Sequence, residues 1–152
     1  AVISSPQATG YQDFMKEHKL KPEVIWADKQ PSQRAGAWQA TREYITGNGY
    51  PEAIFCRSDE SMIGVYKALR ETGRTIPAET ALLGIDGIQD TYYLDSPVAT
   101  VAQPVQKMCE TAWALLKERL QDPERPAQTR TLQAKLEWHE ARQPSDLIRT
   151  RE

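Results

Sequence analysis

Apolar and polar positions change period several times along the chain, and each change marks an element. After Pro6, residues Tyr11, Phe14, Met15 and His18 recur at helical spacing, so residues 6–18 are predicted to form a helix. Residues 23–27 (EVIWA) are short, β-rich and bounded by Pro22 and Asp28, which predicts a strand with Trp26 in the core. Ser32 can cap the next helix, predicted to run to about Thr46, where GNGYP stops it. Residues 53–56 (AIFC) predict a buried strand. Ser58 or Asp59 then caps a helix carrying Met62, Val65, Tyr66 and Leu69 on one stripe, closed by Gly73. Residues 81–85 (ALLGI) predict another strand, ending at Asp86-Gly87, and a short turn follows through Tyr92, Tyr93 and Leu94. Residues 98–101 are extended after Pro97. Pro104 opens a helix whose apolar face holds Val105, Met108, Cys109, Ala112, Leu115, Leu116 and Leu120. Residues 129–139 alternate, with Leu132, Ala134, Leu136 and Trp138 on one face, and the tail after Pro144 is polar.

Short apolar strands alternating with helices are the signature of βαβ units, and hence of an α/β fold built on a parallel sheet. Strands apolar throughout, such as AIFC and ALLGI, suit a sheet covered on both faces. The 152 residues make one modest domain or part of a larger one. The opening AVISSP, which reads like the tail of a strand, carries the expectation of a longer chain.

Charge narrows the function. Nineteen Lys and Arg against 21 Asp and Glu give a net charge of −2, which argues against nucleic-acid binding by this piece. No apolar run approaches the roughly 20 residues of a membrane span, so no membrane association is expected. Two cysteines, Cys56 and Cys109, do not make a disulfide framework, and a reducing compartment is the default. The sequence has no glycine-rich phosphate loop, no nucleophile elbow and no zinc-ligand spacing. No cofactor, metal site or catalytic group is therefore expected. Asp59-Glu60 is a carboxylate pair that acid–base chemistry could use, but a helix start complemented by negative charge is the favoured explanation.

In open α/β sheets, ligands bind beyond the carboxyl ends of the strands. Three predicted strands end in polar groups: AIFC at Arg57-Ser58-Asp59, ALLGI at Asp86, and EVIWA at Asp28. Ser58 and Asp59 can serve as caps alone. Asp86 precedes Gly87 with no long helix to cap, which leaves its carboxylate for sugar-like hydroxyls.

The stretch from Ala53 to Val105 resembles the lactose-repressor (LacI/GalR) family of bacterial transcription regulators. The resemblance rests on Asp59, Gly64, Ala68 and Leu69, then Gly73, Pro77, Gly84, Ile85 and Asp86, then Pro97, Thr100 and Gln103. Looser similarity at Gly10-Tyr11, Gly36 and the last strand extends it over nearly the whole chain. It implies one lobe of a type I periplasmic-binding-protein-like fold, a parallel-sheet sandwich, plus crossover elements of the other lobe. Residues 1–97 would form the C-terminal lobe of the effector-binding domain. Residues 98–130 would cross to the N-terminal lobe, residues 131–143 would return as a strand, and 144–152 would be a polar tail. The helix after Pro104 would then need a surface outside this chain.

The resemblance further implies a cytoplasmic, non-enzymatic repressor that binds a small molecule, a sugar or sugar derivative, in the inter-lobe cleft. DNA would be bound only through an N-terminal helix-turn-helix outside this sequence. A periplasmic sugar-binding protein feeding a transporter is the alternative. Carried over residue by residue, Asp86 binds the effector, Asp59 and Ser58 lie beside it, and Val105 lines the cleft. Gln7 stands where many members have Arg, Ser58 where many have Asn, and Pro31 near a stacking aromatic. Loss of that Arg removes a five-donor cationic fork and suggests a neutral or unusual effector. A homodimer is implied, with Met62, Ile63, Tyr66, Tyr93 and Leu94 as candidate contacts.

Overall fold

A computed structural model describes residues 5–27 and 31–139. The opening residues, Asp28 and the polar tail lie outside the described residues, as does the end of the expected returning strand. Helix α1 (Pro6–Glu17) is followed by α2 (Gln33–Asn48), strand β1 (Ala53–Phe55), α3 (Asp59–Glu71) and β2 (Ala81–Asp86). A 3-10 turn (Gln89–Tyr93), β3 (Val98–Ala102), α4 (Val105–Gln121) and β4 (Lys135–His139) complete the order. The sheet runs β1-β2-β3-β4. Its first two pairings are parallel, with Phe55 opposite Leu83 and Asp86 opposite Ala102, and β4 joins β3 antiparallel. The expected α/β fold on a mostly parallel sheet is therefore present.

The first three helices start on serine caps. Ser5, Ser32 and Ser58 each accept a hydrogen bond at 3.2 Å, from the N–H of Ala8, Ala35 and Ser61 respectively. Each cap satisfies one of the donors that a helix start leaves open. The core lies where α2 and α3 press on one face of the sheet. Met62 and Leu69 are completely buried, and Val65, Tyr66, Leu82 and Val98 are nearly so. Burying a side chain of this size stabilises the fold by about 1.5–3 kcal/mol. Gly64 permits the close approach of the two helices, since a Cβ there would stand 2.1 Å from the Arg34 carbonyl oxygen.

Two sequence expectations require correction. Residues 23–27 form no strand and pair with none among the described residues, and Trp26 is 63% exposed rather than core. Strand propensity is realised only where a neighbouring strand takes up the backbone groups. The dimer assignment fails for Met62 and Tyr66. Met62 has no exposed surface, and Tyr66 is 8% exposed with its hydroxyl donating to Ser96 Oγ at 3.3 Å. Both are core residues, because the stripe they form is the one that faces the sheet. Leu94 is half-buried against the same core, Ile63 is half-buried, and Tyr93 is exposed.

Helix α4 has no buried residue, and Val105, Met108, Trp113, Leu116 and Leu120 are exposed along it. Among the described residues, no helix is long and apolar enough to cross a membrane.

Candidate functional site

The carboxyl ends of β1, β2 and β3 lie side by side because the strands are parallel and adjacent. That edge gathers Arg57, Asp86 and Gln103, with Val105 just beyond. Asp86 has a φ of 122°, a conformation that side chains other than glycine rarely adopt. Its surroundings impose this strain. The Gln103 N–H donates to the Asp86 carbonyl at 3.1 Å, and Gln103 Nε2 donates to Asp86 Oδ1 at 2.7 Å. The side chain is thereby fixed at the strand end, half-buried, with lone pairs left for a ligand. Burial pushes the Asp86 carboxyl above the usual aspartate range. The negative charge of Asp59 adds to this, and the Gln103 hydrogen bond and the Arg57 charge oppose it.

Asp59 is a correction to the expected effector set. It is completely buried, and all the contacts of its carboxylate are internal. Oδ2 accepts from the Gly87 N–H at 2.7 Å and the Ile88 N–H at 3.0 Å, while Thr100 Oγ1 donates at 2.8 Å to Oδ1. Asp59 thus ties the start of α3 to the turn after β2 and to β3, and it shapes the backbone that holds Asp86. Gly84 belongs to the same arrangement, because a Cβ there would stand 2.0 Å from Asp59 Oδ1.

Ser58 caps α3 and also donates to Gln33 Oε1 at 3.1 Å, so its hydroxyl is half-buried between two helix starts. Glu60, the other half of the carboxylate pair, meets Arg34 through two hydrogen bonds of 2.7 Å, and this holds its carboxyl below the usual glutamate range. Arg34 also reaches Asp90 at 2.5 Å, joining α2, α3 and the 3-10 turn. Neither carboxylate is left free for acid–base work. Burial pushes the Cys56 thiol up to about 12, with the Asp59 charge adding to it, so Cys56 is an inert core residue.

The expected ligand residues do not all converge on one pocket. A cavity of about 910 Å³ lies among α1, residues 21–27, α2 and β1. Gln7, Gln33 and Arg57 line it, whereas Asp86, Ser58 and Val105 do not. Gln7 and Val105 are both exposed. Sequence reading passed over two members of that row, Arg57 and Gln103, as ligand candidates. Arg57 did carry a signal: it is the one cation directly following a predicted strand.

Comparison with known proteins supplies the family. The model of the periplasmic binding protein-like domain matches residues 3–140. The ribose operon repressor of Haemophilus influenzae is 26% identical over 131 residues, 86% of this chain and 40% of that protein. The HTH-type transcriptional repressor PurR of Vibrio cholerae is 30% identical over 115 residues, 76% of this chain and 34% of that protein. The chain thus spans about 40% or less of the length of these relatives. Among solved structures, a LacI family transcriptional regulator from an Arthrobacter strain, in complex with lactose, superposes with a TM-score of 0.81. It is 22% identical, with 93% of this chain and 52% of that one covered, so it speaks for the fold alone. A LacI family regulator from Enterococcus faecium with bound ribose gives a TM-score of 0.75 at 25% identity, over 89% of this chain and 50% of that one. The relatives named here are repressors, and since the family model spans nearly all of its length, this chain belongs to the periplasmic binding protein-like domain family.

Proposed function

We propose that this chain is the effector-sensing part of a bacterial transcription repressor that binds a sugar or sugar derivative in the cleft between two lobes. The observation that carries the reading is Asp86, held in an unfavourable backbone conformation at a strand end with its carboxylate oriented by Gln103. Strain of this kind costs on the order of 1–3 kcal/mol and persists where the surroundings enforce it, commonly at binding sites. Paired sugar hydroxyls donate to such a carboxylate, and ligand closure of the cleft shifts a two-state lobe equilibrium.

In this reading residues 1–97 are the C-terminal lobe, 98–130 cross to the N-terminal lobe, and 131–143 return. Helix α4, in which no residue is buried, supports that division, since its apolar face would lie against the other lobe. The repressor is a cytoplasmic homodimer, with Tyr93, Ile63 and Leu94 near the contact, and binds DNA through a helix-turn-helix outside this sequence. The test is calorimetry of the full-length protein against a sugar panel. Micromolar binding that Asp86→Ala abolishes is the expected result. Binding untouched by Asp86→Ala would refute the assignment.

A further inference from the structure

We propose that Arg57 makes this strand-end site selective for hydroxylated monocarboxylates, the sugar acids, over neutral sugars of the same shape. The proposal rests on the sugar-binding reading above and deepens it. Gln7 in place of an arginine pointed to a neutral effector, but the fold supplies a cation from another element.

Arg57 and Asp86 stand at the ends of adjacent strands, although Asp86 lies outside the cavity that Arg57 lines. The Cys56 N–H donates to the Leu83 carbonyl at 2.7 Å, and Phe55 lies opposite Leu83, so Arg57 comes level with Ile85. The Arg57 side chain is exposed and lines the 910 Å³ cavity together with Gln7 and Gln33. Among the described residues it makes no hydrogen bond or ion pair, although its charge reaches Asp86. Three other arginines are engaged, Arg34 with Glu60 and Asp90, Arg42 with Trp38 and Glu71, Arg74 with Glu79 and Tyr50, while Arg70 on α3 has no such side-chain partner among the described residues but does not line the cavity. Arg57 is thus a five-donor cation left open at the edge where ligands of this fold class bind.

The choice of ligand follows from what closure would do to that cation. A neutral sugar covering Arg57 would strip water from a guanidinium and leave part of its donor fork unmet. A carboxylate meets two of its N–H groups in one plane and cancels its charge. The local field agrees, since α1 and α2 begin at this cavity with no acidic residue in their first turns. Glu60, in the first turn of α3, is neutralised by Arg34. Asp86 limits the ligand to one acid. It takes hydroxyls at its own end and repels a second negative charge there.

The experiment is titration calorimetry of the full-length protein at fixed ionic strength. The probes are gluconate, galactonate, glucuronate and galacturonate, each against glucose or galactose. At least one acid should bind about tenfold or more tighter than its neutral parent. Arg57→Gln should bring the pair within about threefold, and Arg57→Lys should restore part of the preference. An unchanged thermal midpoint for Arg57→Gln separates this from misfolding. Neutral sugars that bind as tightly as the acids and are lost in Asp86→Ala would overturn the acid preference and leave the sugar site standing. An acid preference indifferent to Arg57→Gln would overturn the role of Arg57. Binding of neither class would overturn the sugar reading and this proposal with it.

Discussion

Replacing Asp59 with alanine should remove much of the stability of this lobe, although Asp59 touches no ligand. Its fully buried carboxylate receives the equally buried Thr100 hydroxyl and the N–H groups of the half-buried Gly87 and Ile88. After truncation, the Gly87 N–H keeps a 3.2 Å bond to Thr100 Oγ1, while the Ile88 N–H and the Thr100 hydroxyl lose their acceptors. A buried donor left unmet costs about 1–3 kcal/mol. Two orphans and one weakened donor come to roughly 3–5 kcal/mol, against the about 5–15 kcal/mol by which a domain is stable. With a urea m-value of about 1–3 kcal/mol/M, the midpoint should fall by more than about 1 M. Tryptophan fluorescence during urea denaturation measures it. Thr100→Val alone should cost less, and the double variant should cost clearly less than the sum, since the two residues share a bond. A midpoint shift below about 0.3 M for Asp59→Ala, or additivity of the pair, would refute the network.

Gly84→Ala drives a Cβ to 2.0 Å from Asp59 Oδ1 and should reproduce the Asp59→Ala loss of stability in the same denaturation assay. Gly64→Ala places a Cβ 2.1 Å from the Arg34 carbonyl oxygen and should separate α2 from α3, a loss of about 1–3 kcal/mol read as a lowered thermal midpoint. Asp86→Gly should act in the opposite sense. It relieves the positive φ and raises stability by about 1 kcal/mol while abolishing sugar binding, measurable by thermal shift and calorimetry on one sample. The Arg34–Glu60 pair lowers the folded-state Glu60 carboxyl, so its contribution is present above the ordinary glutamate range and is lost as pH falls through the folded value. Arg34→Met should therefore flatten the acid limb of the stability profile measured between neutral and mildly acidic pH, by a small amount because the pair is half exposed.

Much of this was legible in the sequence because it depends on local pattern. The Ser32 cap, a cap at Ser58 or Asp59 that proves to be Ser58, the Gly stop after α2, the apolar β2 and the Asp86-Gly87 ending all follow from a few neighbouring residues, and each forms. The family resemblance, carried by spaced Asp, Gly, Pro and Thr positions, was legible too, and the matching family model spans residues 3–140. Tertiary structure alone decided which side of each element is covered. The stripe Met62–Tyr66 is apolar whether it meets a second copy or the sheet, and only packing sends it inward. EVIWA has strand propensity but no strand beside it among the described residues, so Trp26 faces solvent. Asp59 reads as an exposed cap or ligand until Gly87, Ile88 and Thr100, 28 to 41 residues away, close over it. Arg57 is an ordinary charge in the sequence, and it becomes an open cation at the strand end adjacent to that of Asp86 through the parallel register of β1 and β2. Local propensity is written in adjacent residues, whereas burial and pairing depend on distant ones, and those are the quantities that separate a cap from a keystone and a surface charge from a binding group.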